Sequence, residues 1–202
     1  MDQRGFTLWE LLVAMLIVGV VMGIGVPNFA SFVRNGDMAA GVNGVVSALH
    51  LSRTEAVKRQ MPVTLCGSST PLAAAPACDG GTGGYFAFVD VDDTNGDGTA
   101  DGDGVFDAGE EILLQRDRPA DTITTSINPG TVSVTYRADG FINPDLNPFN
   151  TLLFCDDRGN SDVGNGDSTA RVVFVSPTGR PQLLRDTVAV ADAVATTGGA
   201  CP

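Results

Sequence analysis

Oxygen-bearing side chains recur at alternate positions near the middle of the chain, in a pattern that could hold a calcium ion. The predicted ligands, at the first, third, fifth and ninth positions of an EF-hand-like loop, are Asp93, Asn95, Asp97 and Asp101. The twelfth position is Gly104, where such a loop needs a bidentate Glu. The same stretch also fits a solvated Asp/Gly-rich turn between two strands, and the missing Glu favours that interpretation. Calcium is therefore the one candidate cofactor, and no other is expected.

A second candidate group is a carboxylate inside an apolar segment. Phe6 to Val26 is almost wholly apolar except for Glu10, and as a helix it would be about 31 Å long, enough to span a bilayer. A carboxylate in such a span is unfavourable and calls for a positive partner at the same depth. Cleavage between Gly5 and Phe6 would create an α-amino group one turn before Glu10, on the same chain or on a neighbour. Because no small-residue cleavage site follows the apolar run, we expect it to be retained as an anchor.

Other kinds of chemistry find little support in the composition. The net charge is -12, from 24 acidic and 12 basic residues, which disfavours nucleic-acid binding through bulk charge. The single histidine, His50, leaves little room for histidine catalysis. The chain contains no G-x-S-x-G, H-E-x-x-H or P-loop motif. A structural role is therefore predicted, and an enzyme is not.

The elements that position these groups follow from hydrophobic periodicity. Apolar residues including Val42, Val45 and Leu49 recur at helical spacing up to Arg59, which predicts an amphipathic helix, and Pro62 blocks its continuation. Beyond it, six β-type runs are predicted at 62–66, 85–90, 111–116, 131–137, 151–154 and 171–176. The 131–137 run alternates apolar and polar residues, as a half-buried strand would.

The four cysteines predict two disulfides in an oxidising compartment, because their number is even and the chain begins with a membrane-targeting segment. Four cysteines allow three connectivities, and spacing alone leaves them open.

The N-terminal residues Arg4-Gly5-Phe6-Thr7-Leu8-Trp9-Glu10, followed by an apolar helix, closely resemble the class III signal of type IV pilins and type II secretion pseudopilins. The resemblance implies that a prepilin peptidase cuts after Gly5 and methylates Phe6. It also implies that Glu10 guides assembly by pairing with the N-terminus of a neighbouring subunit. Trp9 departs from the usual aliphatic residue at its position.

Further stretches resemble the GspH/FimT group of minor pseudopilins and minor pilins: "ALHLSRTEAVKRQMPVTLC", "YFAFVDVDDTNGDG", "VFDAGEEILLQ", "CDDRG" and "RVVFVSPTGRPQL". This resemblance implies an α+β pilin fold, in which a long N-terminal helix, first transmembrane and then amphipathic, packs on an antiparallel β domain. The implied boundaries are a leader at 1–5, a transmembrane helix at 6–26, an amphipathic helix at 27–59 and a periplasmic β-rich domain at 60–202.

The resemblance also favours one disulfide pattern. A Cys66–Cys78 bridge would close a short loop, and a Cys155–Cys201 bridge would pin the C-terminal tail to a strand, as in the C-terminal staple of many pilins.

The implied function is that of a minor pseudopilin in a type II secretion filament, anchored by one helix in the inner membrane. The implied partners are other major and minor pilins or pseudopilins, the prepilin peptidase, the inner-membrane assembly platform and secreted substrates. The alternative is a type IV pilus minor pilin for pilus assembly or DNA uptake. Some FimT-type proteins bind DNA through a G-R-x-R motif, which here reads Gly179-Arg180-Pro181-Gln182 and lacks the second Arg. Arg185 and Arg171 could compensate, but the charge balance opposes DNA binding.

Overall fold

The fold consists of one long N-terminal helix followed by a β-rich domain. The computed structural model describes residues 6–91, 100, 102–107, 109–199 and 201. Helix α1 extends over Leu8–Arg59, and the chain divides into two units, Met1–Gly36 and Asp37–Pro202. Within the described part of the first unit no side chain is buried, and α1 is long and apolar enough there to cross a membrane, by length and composition.

The second unit contains eight described strands in two antiparallel sheets. They are β1 (Val63–Ser68), β2 (Gly84–Val89), β3 (Ile112–Asp117), β4 (Thr124–Ile127), β5 (Ser133–Tyr136), β6 (Thr151–Cys155), β7 (Asp167–Val175) and β8 (Pro181–Asp186). The first sheet has the order β3-β2-β1-β5, and the second has the order β4-β6-β7-β8. A short 3-10 helix, Pro144–Leu146, lies between β5 and β6.

The main core joins α1 to both sheets. The buried α1 residues lie at helical spacing and include Met38, Val42, Val45 and Leu49. They belong to one hydrophobic cluster with residues of the first sheet, such as Leu65, and of the second sheet. Among the described residues, all the buried ones lie from Met38 onward. The second unit therefore holds the whole described core.

A second helix, α2 (Thr187–Thr197), covers the other face of the second sheet. Asp186 caps its N-terminus by accepting a hydrogen bond from the Ala189 amide at 2.7 Å, and Gly198 ends it with φ of 62°. Val190 and Ala193 pack with residues of β6 and β7 in a smaller core.

The outer face of the first sheet has an aromatic cluster. Phe86 and Phe88 stack at 5.5 Å between ring centroids, and the Phe106 ring meets both edge-on. The Cys66–Cys78 disulfide belongs to the same cluster. This small core holds Phe106, near the end of the Asp-rich segment at residues 91–107 (the acidic loop), against the sheet.

The predicted fold class is confirmed: a long N-terminal helix packs on an antiparallel β domain. Each predicted β-type run overlaps an observed strand, whereas β4, β8 and α2 were not predicted. The half-buried prediction for the 131–137 run is wrong, because Ser133 and Thr135 of β5 are buried as well as Val134 and Tyr136. Thr135 shares a 2.7 Å hydrogen bond with Thr64, which satisfies its hydroxyl on the covered face.

Candidate assembly site

The start of α1 is held by a reciprocal pair of side chains. The Glu10 amide donates to Thr7 Oγ1 at 3.2 Å, while Glu10 Oε2 accepts from the Thr7 amide and from Thr7 Oγ1, each at 3.1 Å. This is a capping box, the T-x-x-E pattern in which two unpaired helix amides are satisfied together. The negative carboxylate also lies at the positive end of the helix dipole, which favours it there.

The surroundings of this capping box are apolar and exposed. Phe6 is 90% exposed, Trp9 73% and Leu8 76%, and the large apolar side chains of α1 remain exposed as far as Val33. Glu10 is exposed too. Such a continuous apolar surface fits a membrane or other helices of the same kind. Gly5, the predicted cleavage residue, lies outside the described residues.

Thr7 is the residue of this candidate site that the sequence interpretation missed. Its spacing to Glu10, T-x-x-E ahead of an apolar run, is a readable signal for a helix N-terminus. The predicted assembly carboxylate is thus also the carboxylate that caps its own helix. These two roles make different demands on the side chain, since capping needs only an acceptor whereas pairing with an amine needs the charge.

The four predicted calcium ligands, Asp93, Asn95, Asp97 and Asp101, lie outside the described residues. Within the described part of the chain, no group of three or more His, Cys, Asp or Glu side chains could hold a metal ion. The described flanks of the loop are fixed by carboxylates. Glu110 accepts from the amides of Val91 at 3.0 Å and Asp107 at 2.8 Å.

The deepest of these flanking carboxylates is Asp90, which is fully buried. Its oxygens accept from the Thr64 hydroxyl at 2.8 Å and from the amides of Asp103 at 3.1 Å and Gly104 at 2.9 Å. Burial raises the pKa of Asp90, and these hydrogen bonds oppose that rise. Asp90 therefore fastens the end of the acidic loop to the β1–β2 pair.

The basic residues proposed for DNA contact do not act as one group. Arg180 is exposed at the turn between β7 and β8, whereas Arg185 pairs with Asp167 at 2.7 Å. Arg171 donates through Nη1 to the backbone carbonyls of Ser168, Thr169 and Ala170. The guanidinium of Arg171 is thus engaged within the fold, whereas that of Arg185 forms an exposed ion pair.

Both predicted disulfides are present. Cys66 pairs with Cys78 and Cys155 with Cys201, with Cα–Cα distances of 5.5 and 5.4 Å, and the described cysteines include no free thiol. The first bridge closes a surface loop onto β1, and the second fixes the end of the chain to β6.

The family model described as type II transport protein GspH matches residues 41–179, and the model described as the prokaryotic N-terminal methylation motif matches residues 1–26. The chain belongs to the GspH family. This family comprises minor pilins and pseudopilins of type II secretion systems or type IV pili, which are structural proteins. The methylation motif and the apolar helix fit a pilin anchored in the inner membrane.

Solved structures with a similar backbone are two crystal forms of the type IV minor pilin FimU of Pseudomonas aeruginosa. The first is 18% identical with a TM-score of 0.45 and covers 76% of this GspH-family chain and 92% of its own. The second is 17% identical with a TM-score of 0.42 and covers 72% and 91%. No curated protein matches the chain significantly.

Proposed function

We propose that this GspH-family chain is a minor pseudopilin, a structural subunit of a type II secretion filament. In this proposal a prepilin peptidase removes residues 1–5 and methylates Phe6, and residues 6–26 anchor the subunit in the inner membrane. Residues 27–59 continue the helix into a periplasmic domain, residues 60–202. The subunit then assembles with other pseudopilins through the inner-membrane platform and supports secretion, and the filament contacts secreted substrates. It performs no catalysis.

The observation that carries this proposal is the charged capping box at the start of an exposed apolar helix. In the free subunit Glu10 finds donors in Thr7 of its own chain. Its charge nevertheless remains costly in a bilayer, where a carboxylate at mid-span costs roughly 2.5–3.5 kcal/mol on insertion scales. A neighbour's Phe6 amine would neutralise that charge. Pairing would therefore make the correct register between subunits the low-energy state.

The alternative is a type IV pilus minor pilin for pilus assembly or DNA uptake, and the arrangement of the basic residues gives little support to its DNA-binding part. Arg180 is exposed, but Arg185 pairs with Asp167, and Gln182 stands where the G-R-x-R motif has its second Arg. Loss of extracellular enzymes on deletion of this chain would favour secretion, and loss of surface pili or DNA uptake would favour the alternative.

Three substitutions separate assembly from capping. Glu10→Gln keeps an acceptor for Thr7 but removes the charge, since Gln also completes a capping box. Thr7→Val removes the capping hydroxyl but keeps the charge. Glu10→Ala removes both the acceptor oxygens and the charge of residue 10. The variants are expressed in cells that contain the prepilin peptidase and the other subunits of the same filament.

We expect Glu10→Gln and Glu10→Ala to abolish co-purification with the filament, and Thr7→Val to leave it nearly intact. All three should still enter the membrane fraction, and N-terminal mass should show cleavage after Gly5 and methylation of Phe6. Normal assembly of Glu10→Gln together with loss in Thr7→Val would show that Glu10 serves only to cap its helix. A mature chain that still begins at Met1 would refute the processing step.

A further inference from the structure

A cavity of about 410 Å³ lies among residues of both sheets, α1 and the end of α2. Its apolar lining includes the half-buried Tyr85, Pro119 and Ile127, together with the core residues Leu65, Leu152 and Phe154, which are at most 8% exposed. The volume falls within the range of roughly 300–1,000 Å³ that is usual for small-molecule sites. All of these residues belong to the second unit, so the cavity is a feature of the β-rich body.

The rim of the cavity is largely bare backbone. Glycines at 67, 80, 81 and 84 line it on the side of the first sheet, and Gly198 and Gly199 line it where α2 ends. A Cβ at Gly81 would lie 2.4 Å from the Ser69 amide nitrogen, so a side chain cannot be added there without moving backbone. Gly81 is thus required by its close packing on Ser69, and the glycines present no side chain at the rim.

The rim of the cavity carries a positive charge, in contrast to the acidic composition of the chain. Among the described residues that line the cavity, Arg118 is the only charged one, although acidic residues outnumber basic ones 24 to 12 in the sequence. The Arg118 amide donates to the Gly83 carbonyl at 2.9 Å, which fixes its backbone at the rim.

The guanidinium of Arg118 can replace its present ion-pair partner with another anion. It pairs with Asp121, and the two side chains are 51% and 84% exposed. Ion pairs as exposed as this one contribute little to stability, because water screens them and the side chains lose freedom. An incoming carboxylate could therefore take the guanidinium from Asp121 at small cost, and a charge-assisted hydrogen bond would hold it.

We propose that this cavity binds a single-chain amphiphile ending in a carboxylate, such as a medium-chain fatty acid. The apolar chain lies against Tyr85, Pro119 and Ile127, the half-buried apolar part of the lining, and the carboxylate meets Arg118 at the rim. A cation would be repelled by Arg118, and a neutral head group would gain from it only a hydrogen bond weaker than that of a carboxylate. This site is independent of filament assembly through Glu10.

The test uses the full chain in phosphatidylcholine nanodiscs and a decanoic acid probe with a photoreactive diazirine at the end of its chain. The matched neutral probe is the corresponding decanol. After irradiation, the labelled peptides are mapped by mass spectrometry, with and without excess unlabelled decanoate. Partition of the probe into the lipid is the same for every variant, so the ratios between variants report on the cavity.

We expect the acid probe to label peptides containing Tyr85 and Ile127, with loss of label on competition. Arg118→Gln should lower this labelling by roughly fivefold or more, as expected when a charge-assisted bond is lost. Arg116→Gln, two residues away and outside the cavity lining, should leave it unchanged. Asp121→Asn should raise it, because the competing carboxylate is gone. Ile127→Trp, which fills the cavity, should abolish it.

Folding of each variant is checked by the hydrogen-exchange protection of the β1 and β2 amides, and closure of both disulfides by intact mass. If Ile127→Trp fails this check, the three surface variants still decide the question. Equal labelling by the acid and the alcohol, equal labelling of Arg118→Gln and wild type, or label confined to residues 6–33 would each overturn the proposal.

Discussion

Replacing Asp90 should weaken the fold by removing the acceptor that fastens the acidic loop. In Asp90→Ala, the amides of Asp103 and Gly104 lose their side-chain acceptor, and the hydroxyl of Thr64 loses one of its two partners. A buried donor left unsatisfied costs about 1–3 kcal/mol. Thr64 retains Thr135 at 2.7 Å, and Asp103 is half-buried and can turn to water. We therefore expect a total loss of about 2–4 kcal/mol of unfolding free energy.

Asp90→Asn is the matched variant, since it keeps one acceptor oxygen and removes the charge. It should cost less than the alanine variant, and the difference between it and wild type should depend on pH. Because burial raises the pKa of Asp90 in the folded state, the folded chain holds more protons than the unfolded chain between about pH 4 and that raised pKa. Wild type should thus gain stability relative to Asp90→Asn as the pH falls through this window, and the gain should level off below about pH 4.

Hydrogen exchange of the full chain in nanodiscs provides the assay, because β1 and β2 amides report on global opening and the 102–107 amides report on release of the loop. In Asp90→Ala the amides of residues 102–107 should exchange fastest. The β1 and β2 amides should lose protection equivalent to about 2–4 kcal/mol of unfolding free energy. If Asp90→Ala lowers the unfolding free energy by less than about 0.5 kcal/mol, as an ordinary surface substitution does, the anchoring role of Asp90 is refuted. A wild type that loses stability relative to Asp90→Asn on acidification would refute the sign of the pKa shift.

Three further outcomes are expected. Gly41→Ala should destabilise the second unit by about 1–3 kcal/mol in the same exchange assay, because its Cβ would lie 2.8 Å from Pro119 Cβ, whereas Gly36→Ala meets nothing within 4 Å and should be neutral or stabilising. Opening Cys155–Cys201 by a double Ser substitution should cost about 4 kcal/mol and opening Cys66–Cys78 about 3, since the bridges span separations of 46 and 12 residues; equal losses would contradict the loop-entropy argument. Submillimolar Ca²⁺ should leave the melting temperature almost unchanged, because the loop lacks its twelfth-position Glu, and a one-to-one calorimetric binding curve would contradict this expectation.

The parts of the fold that could be predicted from the sequence are those with a local signal. The apolar run and the helical spacing after it predicted α1, and β-branched runs between turn residues predicted most strands. Helix α2 was missed because Thr187–Thr197 is rich in Val and Thr, which favour strands, although Asp186 and Gly198 are ordinary helix caps.

Contacts between distant segments could not be predicted in the same way. The burial of Ser133 and Thr135 depends on the partner of Thr135 and on the loop end at Gly104, whose added Cβ would lie 3.4 Å from the Ser133 hydroxyl oxygen. Asp90 carries no local mark that separates it from the other acidic residues around it. At the candidate assembly site, by contrast, both Glu10 and Thr7 are readable in the sequence, since the pattern that joins them is only four residues long.

The Cys155–Cys201 bridge has a consequence for a subunit under tension. A pull applied at the C-terminus enters at Cys201 and passes straight to β6 through the covalent link, so β7, β8 and α2 stay outside the loaded path. The separation of 46 residues removes roughly 160 Å from the length to which the oxidised chain can be stretched. Reduction of the Cys155–Cys201 disulfide would restore that extensible length to the chain. An oxidised subunit would therefore behave as a short tether, able to transmit load while a large part of its second sheet remains folded.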